Sequence, residues 1–301
     1  MSLAAPAPFR SGSAALVGRP NVGKSTLLNA LVGAKVSIVT PRPQTTRHRI
    51  LGIANLPAAQ IAFVDTPGLH REGRRALNKA MNRTAAAALE DADLVVLVVE
   101  AGQWTEGDEL ALARIARARR PAIVAVNKID RVRPRERLLP YLAALGGRYG
   151  FLAMVPVSAL KADNITDLRD TIAALLPVSP ALYPADTLTD RGLPFRVAET
   201  VREKLTLELN QEVPYGIAVE VEQLADEADG QLTVDAAIWV EREGQKPIVI
   251  GAGGARLKRV GRSARLALNE LLGRRVHLNL WVKVRENWAD NARALKQLGV
   301  E

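Results

Sequence analysis

The chain has 301 residues, 48% of them hydrophobic, with no cysteine and a formal net charge of +9. That length suggests two domains with ample material for buried cores, and the lack of cysteine excludes a disulfide framework and thiol chemistry. The longest apolar run, Leu94 to Val99, is too short to span a bilayer, and the cation excess by itself only hints at a polyanionic partner.

In chain order, residues 1–10 lack a basic stretch and a continuous apolar stretch, so a loose N-terminus without a signal peptide is expected. Ala14–Val17 is a short apolar run of buried-strand type, and Gly18-Arg-Pro-Asn-Val-Gly-Lys24-Ser25 follows it, matching G-x-x-x-x-G-K-[ST]. Thr26–Val32 then shows a helical apolar pattern. A loop between strand and helix points backbone N–H groups at an anion, and the helix N-terminus adds partial positive charge. Gly18, Asn21, Val22, Gly23, Lys24, Ser25 and Thr26 are therefore expected to hold nucleotide phosphates, with Lys24 on the β- and γ-phosphates and the Ser25 hydroxyl on Mg²⁺. Between Gly33 and Arg49 a polar, Pro-containing stretch suits a mobile loop whose threonine reaches Mg²⁺ when γ-phosphate is present. Thr46 is favoured over Thr45 for that role. The strand-like Gln60–Val64 ends at Asp65-Thr-Pro-Gly68, placing Asp65 to hold Mg²⁺ through water and the Gly68 N–H near the γ-phosphate. The catalytic set is thus Lys24, Thr46 and Gly68.

Pro121–Val126 is another buried-strand run and delivers Asn127-Lys-Ile-Asp130 to the carboxyl edge of a sheet, where ligands of open α/β sheets collect. The Asp130 carboxylate can accept hydrogen bonds from guanine N1–H and the exocyclic amine; adenine offers neither donor and would leave a buried carboxylate unpaired. Asn127 is expected to address the other edge of the base, and the Lys128 stem to pack along the rings. Val157-Ser158-Ala159-Leu160 follows the apolar run from Phe151, so backbone groups around Ser158, Ala159 and Leu160 are placed to contact guanine. Together the segments point to GTP and GDP.

The segments GRPNVGKST, TTRHRI, DTPGLH, NKID and VSAL resemble the translation-factor-related GTPases, in their Era-like branch. In many GTPases a Gln after the D-x-x-G glycine orients the attacking water. Leu69 stands there, which resembles the subgroup with a hydrophobic residue at this position, so slow intrinsic turnover is expected, with the water handled by backbone, a cation or a partner. Asn21 either coordinates a potassium ion near the phosphates, as in some of that subgroup, or is a plain turn residue.

The alternation of strand-like and helix-like runs stops near Leu176, and Pro177, Pro180, Pro184 and Pro194 mark a linker. The expected organisation is a loose 1–10, a GTPase domain over 11–176 with a mostly parallel sheet and helices on both faces, a linker over 177–194, and a smaller α+β domain over 195–301. From Lys204 to Glu243 there are ten acidic residues and two basic ones, whereas from Lys246 to Arg285 there are ten basic residues against Glu270 alone. That basic half is a nucleic-acid footprint. Within it, Gly251-Ala252-Gly253-Gly254 enters a helix with Leu257, Val260, Ala264, Leu268 and Leu271 on its buried stripe. A G-x-x-G turn lets backbone approach a sugar-phosphate strand, and in K-homology domains it clamps about four nucleotides. Candidate strands Tyr215–Val221, Gln231–Glu241 and Val276–Val284 complete the order of a type II K-homology domain. Gly251, Ala252, Gly253, Gly254, Arg256, Lys258 and Arg259 are the candidate RNA contacts, with phosphate contacts falling to backbone N–H groups and to nearby residues such as Arg256.

Val201–Leu205, Glu212–Gly216 and Ile250–Lys258 extend the Era-like resemblance over nearly the whole chain. The resemblance implies a GTPase that binds the 3′ region of 16S ribosomal RNA, assists small-subunit assembly, acts as a monomer in the cytoplasm and associates peripherally with the inner face of the membrane. The alternatives are a tRNA-modification GTPase, whose relatives typically carry a functional cysteine absent here, and a nucleotide-binding module without useful hydrolysis. Glu100 ends the Leu94–Val99 run where relatives often have Asp, with no mechanism attached. His48, His70 and His277 lack metal-ligand spacing, so zinc is not expected, and Trp281 and Trp288 suit base stacking and core packing equally.

Overall fold

A computed structural model describes residues 8–42, 45–68, 76–209 and 216–298. The expectations placed on Leu69, His70 and Glu212–Tyr215 lie outside the described residues. The described residues fall into two units. Of the described residues, 8–37, 46–68 and 81–190 make up the first, and 38–42, 45, 76–80, 191–209 and 216–298 the second.

The first unit carries a six-stranded sheet of β1 (Arg10–Val17), β2 (Ile50–Leu56), β3 (Ala59–Asp65), β4 (Leu94–Glu100), β5 (Ala122–Asn127) and β6 (Met154–Pro156). Their order is β2-β3-β1-β4-β5-β6, and every neighbouring pair is parallel except β2 with β3. β4 reads Leu-Val-Val-Leu-Val-Val because a central parallel strand is covered on both faces. On one face Ala85 and Leu89 of α2 (Ala76–Asp91), Ala111 and Ile115 of α3 (Glu106–Ala118) and Leu145 of α4 (Leu138–Gly146) pack on Ala15 of β1, Val95 and Val99 of β4, and Val124 of β5. On the other lie α1 (Lys24–Val32) and α5 (Ile165–Leu175). β2 is a strand that the sequence pattern alone does not announce. The Pro-marked stretch is strapped to this unit: Gln60 Oε1 accepts the Leu182 and Tyr183 N–H groups at 2.7 and 2.8 Å, and the Leu188 carbonyl accepts the Ile53 N–H at 2.9 Å.

Parallel register sets the site. It pairs Leu16 with Asp65, Val17 with Leu97 and Glu100 with Asn127, so the loops after β1, β3, β4 and β5 leave one edge of the sheet.

The second unit has α6 (Leu193–Glu208), β7 (Ile217–Asp226), β8 (Leu232–Val240), α7 (Lys246–Ile250), α8 (Ala255–Leu272), β9 (Val276–Val284) and the short α9 (Ala292–Gln297). Its sheet is β7-β8-β9, antiparallel then parallel. The α-β-β-α-α-β order matches the expected type II K-homology arrangement. Pro194 sits in the first turn of α6, where its missing N–H costs nothing. Val201 and Leu205 of α6, Ile238 and Val240 of β8 and Val260 and Ala264 of α8 form its core, with Leu257 packed beside them. Ile38–Thr45 joins this unit through α6: Glu203 accepts the Val39 N–H at 3.1 Å, and Arg202 donates to the Thr45 carbonyl at 2.5 Å.

Candidate functional site

Six residues connect Val17 to Lys24, and the turn they make depends on Gly23. Its φ is +99°, and a Cβ there would stand 2.4 Å from the Asn127 amide nitrogen. α1 then starts with no side-chain cap and no acidic residue in its first turn. Its first N–H groups, Ser25 and Thr26 among them, face outward with the positive end of the helix dipole, which is the chemistry of an anion site. Val22 is fully buried as the loop's anchor, and exposed Asn21 takes a left-handed φ of +63°.

Lys24 is buried, and its ammonium donates to the Gly18 and Arg19 carbonyls at 2.9 and 3.1 Å. Burial lowers its pKa to about 8, against the pull of Asp65. An incoming phosphate oxygen would compete with those two carbonyls and restore the charge.

Around Asp65 three hydroxyls converge. Ser25 Oγ donates to Asp65 Oδ2 at 2.7 Å, Ser37 Oγ at 3.2 Å and Thr46 Oγ1 at 3.3 Å, while Ser25 and Thr46 lie 2.8 Å apart. Asp65 is fully buried, and its other oxygen, Oδ1, has no partner. Burial pushes the Asp65 carboxyl up from its ordinary value, although Lys24 and the three hydroxyls pull it down. An orphaned carboxylate oxygen beside two hydroxyl oxygens is a hard-oxygen donor set that fits Mg²⁺. Thr45 turns away, its hydroxyl held by Thr40 and the Arg42 carbonyl at 2.6 and 2.7 Å. Ser37 escapes a sequence reading: nothing local ties it to a carboxylate 28 positions on. Gly68 lies against Pro20 of the phosphate loop, where a Cβ would meet the Pro20 ring and backbone at 3.1 Å.

Across the same edge, Asn127 is buried and ties three loops together. Its Nδ2 donates to the Val22 carbonyl at 2.8 Å and its Oδ1 accepts the Ala159 N–H at 3.0 Å. One amide hydrogen is left for an acceptor on a base. The Ala159 bond pins the loop after β6 to the end of β5. Asp130 Oδ1 accepts the Ser158 hydroxyl at 2.6 Å, which fixes the carboxylate's orientation. Lys128, at a left-handed φ of +64°, donates to the Asn21 carbonyl at 2.7 Å, so its stem crosses from the base-reading loop to the phosphate loop. The Leu160 side chain is exposed.

In the second unit, Gly251 has φ +76°, and a Cβ on it would approach the Arg256 Cβ to 2.7 Å. Gly253 and Gly254 also take left-handed backbone, and Ala252 and Gly253 are exposed at the start of α8. Arg256 packs against Gly251. Its guanidinium folds back to donate to the Ile248 carbonyl, bracing the turn, because the bare Gly251 leaves room for it. Arg259 pairs with Glu208 at 3.2 Å, and Lys258 stands exposed in the first turn of α8. Trp288 is core, with Nε1 donating to the Gly216 carbonyl at 3.2 Å, whereas Trp281 is partly exposed with the Lys283 ammonium 5.6 Å from its ring.

Two family models match the chain: that of a 50S ribosome-binding GTPase over residues 13–128 and that of a KH domain over residues 212–289. A protein named GTPase Era from Xanthomonas oryzae pv. oryzae (strain MAFF 311018) is 52% identical over 294 residues, covering 98% of each chain. GTPase Era from Stenotrophomonas maltophilia (strain K279a) is 50% identical over the same share. Among solved structures, an Era variant from Aquifex aeolicus bound to GDP·AlF4⁻ aligns with a TM-score of 0.93 at 39% identity, covering 97% of this chain and 99% of that one. Era in complex with MgGDPNP and nucleotides 1506–1542 of 16S ribosomal RNA aligns with the same TM-score and coverage at 40% identity.

Proposed function

The chain belongs to the Era family of GTPases, and we propose that it binds GTP and GDP with Mg²⁺, hydrolyses GTP, and binds 16S ribosomal RNA near its 3′ end in small-subunit assembly. The observation that carries the nucleotide half is the meeting of Lys24, Ser25, Thr46 and the orphaned Asp65 Oδ1 on the edge that also holds Asp130.

Bound Mg²⁺ would supply charge neutralisation on the β- and γ-phosphates. The chain's own part is positional. Lys24 and the α1 N–H groups hold the phosphates, the Gly68 N–H faces the γ-phosphate, and Asp130 reads the guanine. With Leu69 where a water-orienting Gln would stand, turnover is slow alone and faster with RNA or with potassium near Asn21. GTP with Mg²⁺ would order the segments around Thr46 and Gly68, and hydrolysis would release them. The working division is the GTPase domain over 11–176 and the RNA-binding domain over 195–301, joined by 177–194. Among the described residues no helix is long and apolar enough to cross a membrane. The reading adopted is a monomeric cytoplasmic protein with peripheral contact to the inner membrane face.

The test is crosslinking of bound RNA in cells, comparing the chain with a Gly253→Asp, Gly254→Asp double variant. Reads concentrated at the 3′ end of 16S rRNA, and lost in the variant, support the reading. Reads spread over tRNA would refute the ribosomal role while leaving the nucleotide site standing.

A further inference from the structure

Glu100 ends β4, and parallel register sets it opposite Asn127, one residue before Lys128. Its carboxylate is only 14% exposed and accepts from two cations that belong to different loops. Lys128 Nζ lies 2.8 Å from Glu100 Oε2, and Arg19 Nη2, from the second position of the phosphate loop, lies 3.4 Å from the same oxygen. Exposed Arg131 approaches the other oxygen at 3.7 Å. Arg19 is held from behind, its Nε donating at 3.1 Å to Asp108, a fully buried carboxylate at the start of α3 that also accepts the Thr105 N–H and hydroxyl.

Two features make this more than a surface ion pair. Lys128 occupies left-handed backbone without being glycine, a conformation that persists only when its surroundings hold it. Its ammonium also carries the bond to the Asn21 carbonyl, so the direction of its stem is set jointly by the phosphate loop and by Glu100. Neutralising Glu100 would leave Lys128 and Arg19 as two like charges sharing a partly buried corner.

We propose that Glu100 is a positioning residue for nucleotide retention: it gathers Arg19 and Lys128 on one carboxylate and so fixes the phosphate loop and the base-reading loop relative to each other. The inference rests on the guanine-nucleotide reading of the site. The partners of the Glu100 carboxylate are Arg19, Lys128 and Arg131 and include none of Ser25, Thr46, Asp65 or Gly68, so GDP and GTP are expected to lose residence time by the same factor.

The experiment is stopped-flow release of mant-GDP and of a mant-labelled non-hydrolysable GTP analogue from the full chain with Mg²⁺. Glu100→Gln is expected to release both nucleotides about ten-fold faster, the size of one partly buried charge-assisted hydrogen bond. Glu100→Asp, which keeps the charge, is expected to restore release to within about two-fold of the parent chain, which a space-filling role would not require. Release by Glu100→Gln at the parent rate overturns the inference, as does acceleration of only one nucleotide. If Glu100→Gln does not fold, Arg19→Met removes the other end of the bridge: release about three-fold faster supports it, and unchanged release overturns it. If the parent chain shows no preference for mant-GDP over mant-ADP, the guanine reading itself has failed, a result distinct from either.

Discussion

Gly23→Ala separates backbone strain from the loss of a specific tie, because a second glycine supplies the control. Gly33 ends α1 with φ +76° and nothing within 4 Å of where a Cβ would stand, so Gly33→Ala costs only the left-handed penalty, about 1 kcal/mol. Gly23 has φ +99° and carries the same penalty, but its Cβ also falls 2.4 Å from Asn127 Nδ2. The amide must swing away, and it then loses the Val22 carbonyl at 2.8 Å and the Ala159 N–H at 3.0 Å, both buried. Leaving those two groups unpaired adds about 2–3 kcal/mol, for a total of about 3–4 kcal/mol.

At about 2–4 °C per kcal/mol for a unit of this size, calorimetry of the nucleotide-free chain is expected to show Tm falling about 3 °C for Gly33→Ala and about 10 °C for Gly23→Ala. A double-mutant cycle sharpens the test. In an Asn127→Ala background the clash and both bonds are already gone, so Gly23→Ala should add only about 1 kcal/mol. If Gly23→Ala lowers Tm no more than Gly33→Ala, or if its cost is the same with and without Asn127, then Asn127 does not tie the loops and the argument built on it is wrong.

Further outcomes follow from the same geometry. The Lys24 pKa lies near 8 in the fold against 10.5 unfolded, so without nucleotide its contribution to stability rises between pH 8 and 10.5 as the buried charge is lost. Nucleotide affinity by titration calorimetry is expected to fall up to about ten-fold per pH unit just above 8, before guanine N1–H itself ionises, and Lys24→Gln is expected to be flat over that narrower range. Asp65 is shifted the other way from an ordinary acid: its folded pKa is raised above 3.8, so the charged form opposes folding once the pH passes the unfolded value. Asp65→Asn is therefore expected to leave metal-free Tm at pH 7 unchanged or higher while weakening Mg²⁺-dependent GDP binding at least about ten-fold; a lower metal-free Tm would contradict this. In the second unit, Lys258→Ala is expected to reduce the log–log salt slope of RNA binding by about 1 with Tm unchanged. Arg256→Ala is expected to lower Tm through the lost brace on Ile248, and a salt-slope change of the Lys258 kind from Arg256→Ala would refute its assignment as a brace.

What can be read from the sequence is whatever is contiguous. Gly18–Ser25 follows a buried strand directly, Asp65 and Asn127 are the last residues of theirs, and a parallel strand covered on both faces announces itself as a largely apolar run. The α8 stripe is legible for the same reason: Val260, Ala264 and Leu268 recur at helical spacing and are all fully buried. Choices between near-equivalent neighbours are decided by tertiary partners instead. Thr45 and Thr46 are told apart by their partners, Thr40 and the Arg42 carbonyl for one and Ser25 and Asp65 for the other, and Arg256 by its bond to the Ile248 carbonyl. Glu100 is the sharpest case. It is visible as a departure at a strand end, yet its partners lie 28 and 81 positions away, so no local pattern can give it a role. Register supplies what spacing cannot. Once β4 is laid parallel to β5 with Glu100 opposite Asn127, the next residue on β5's loop is Lys128, and a carboxylate at that strand end has a cation within reach.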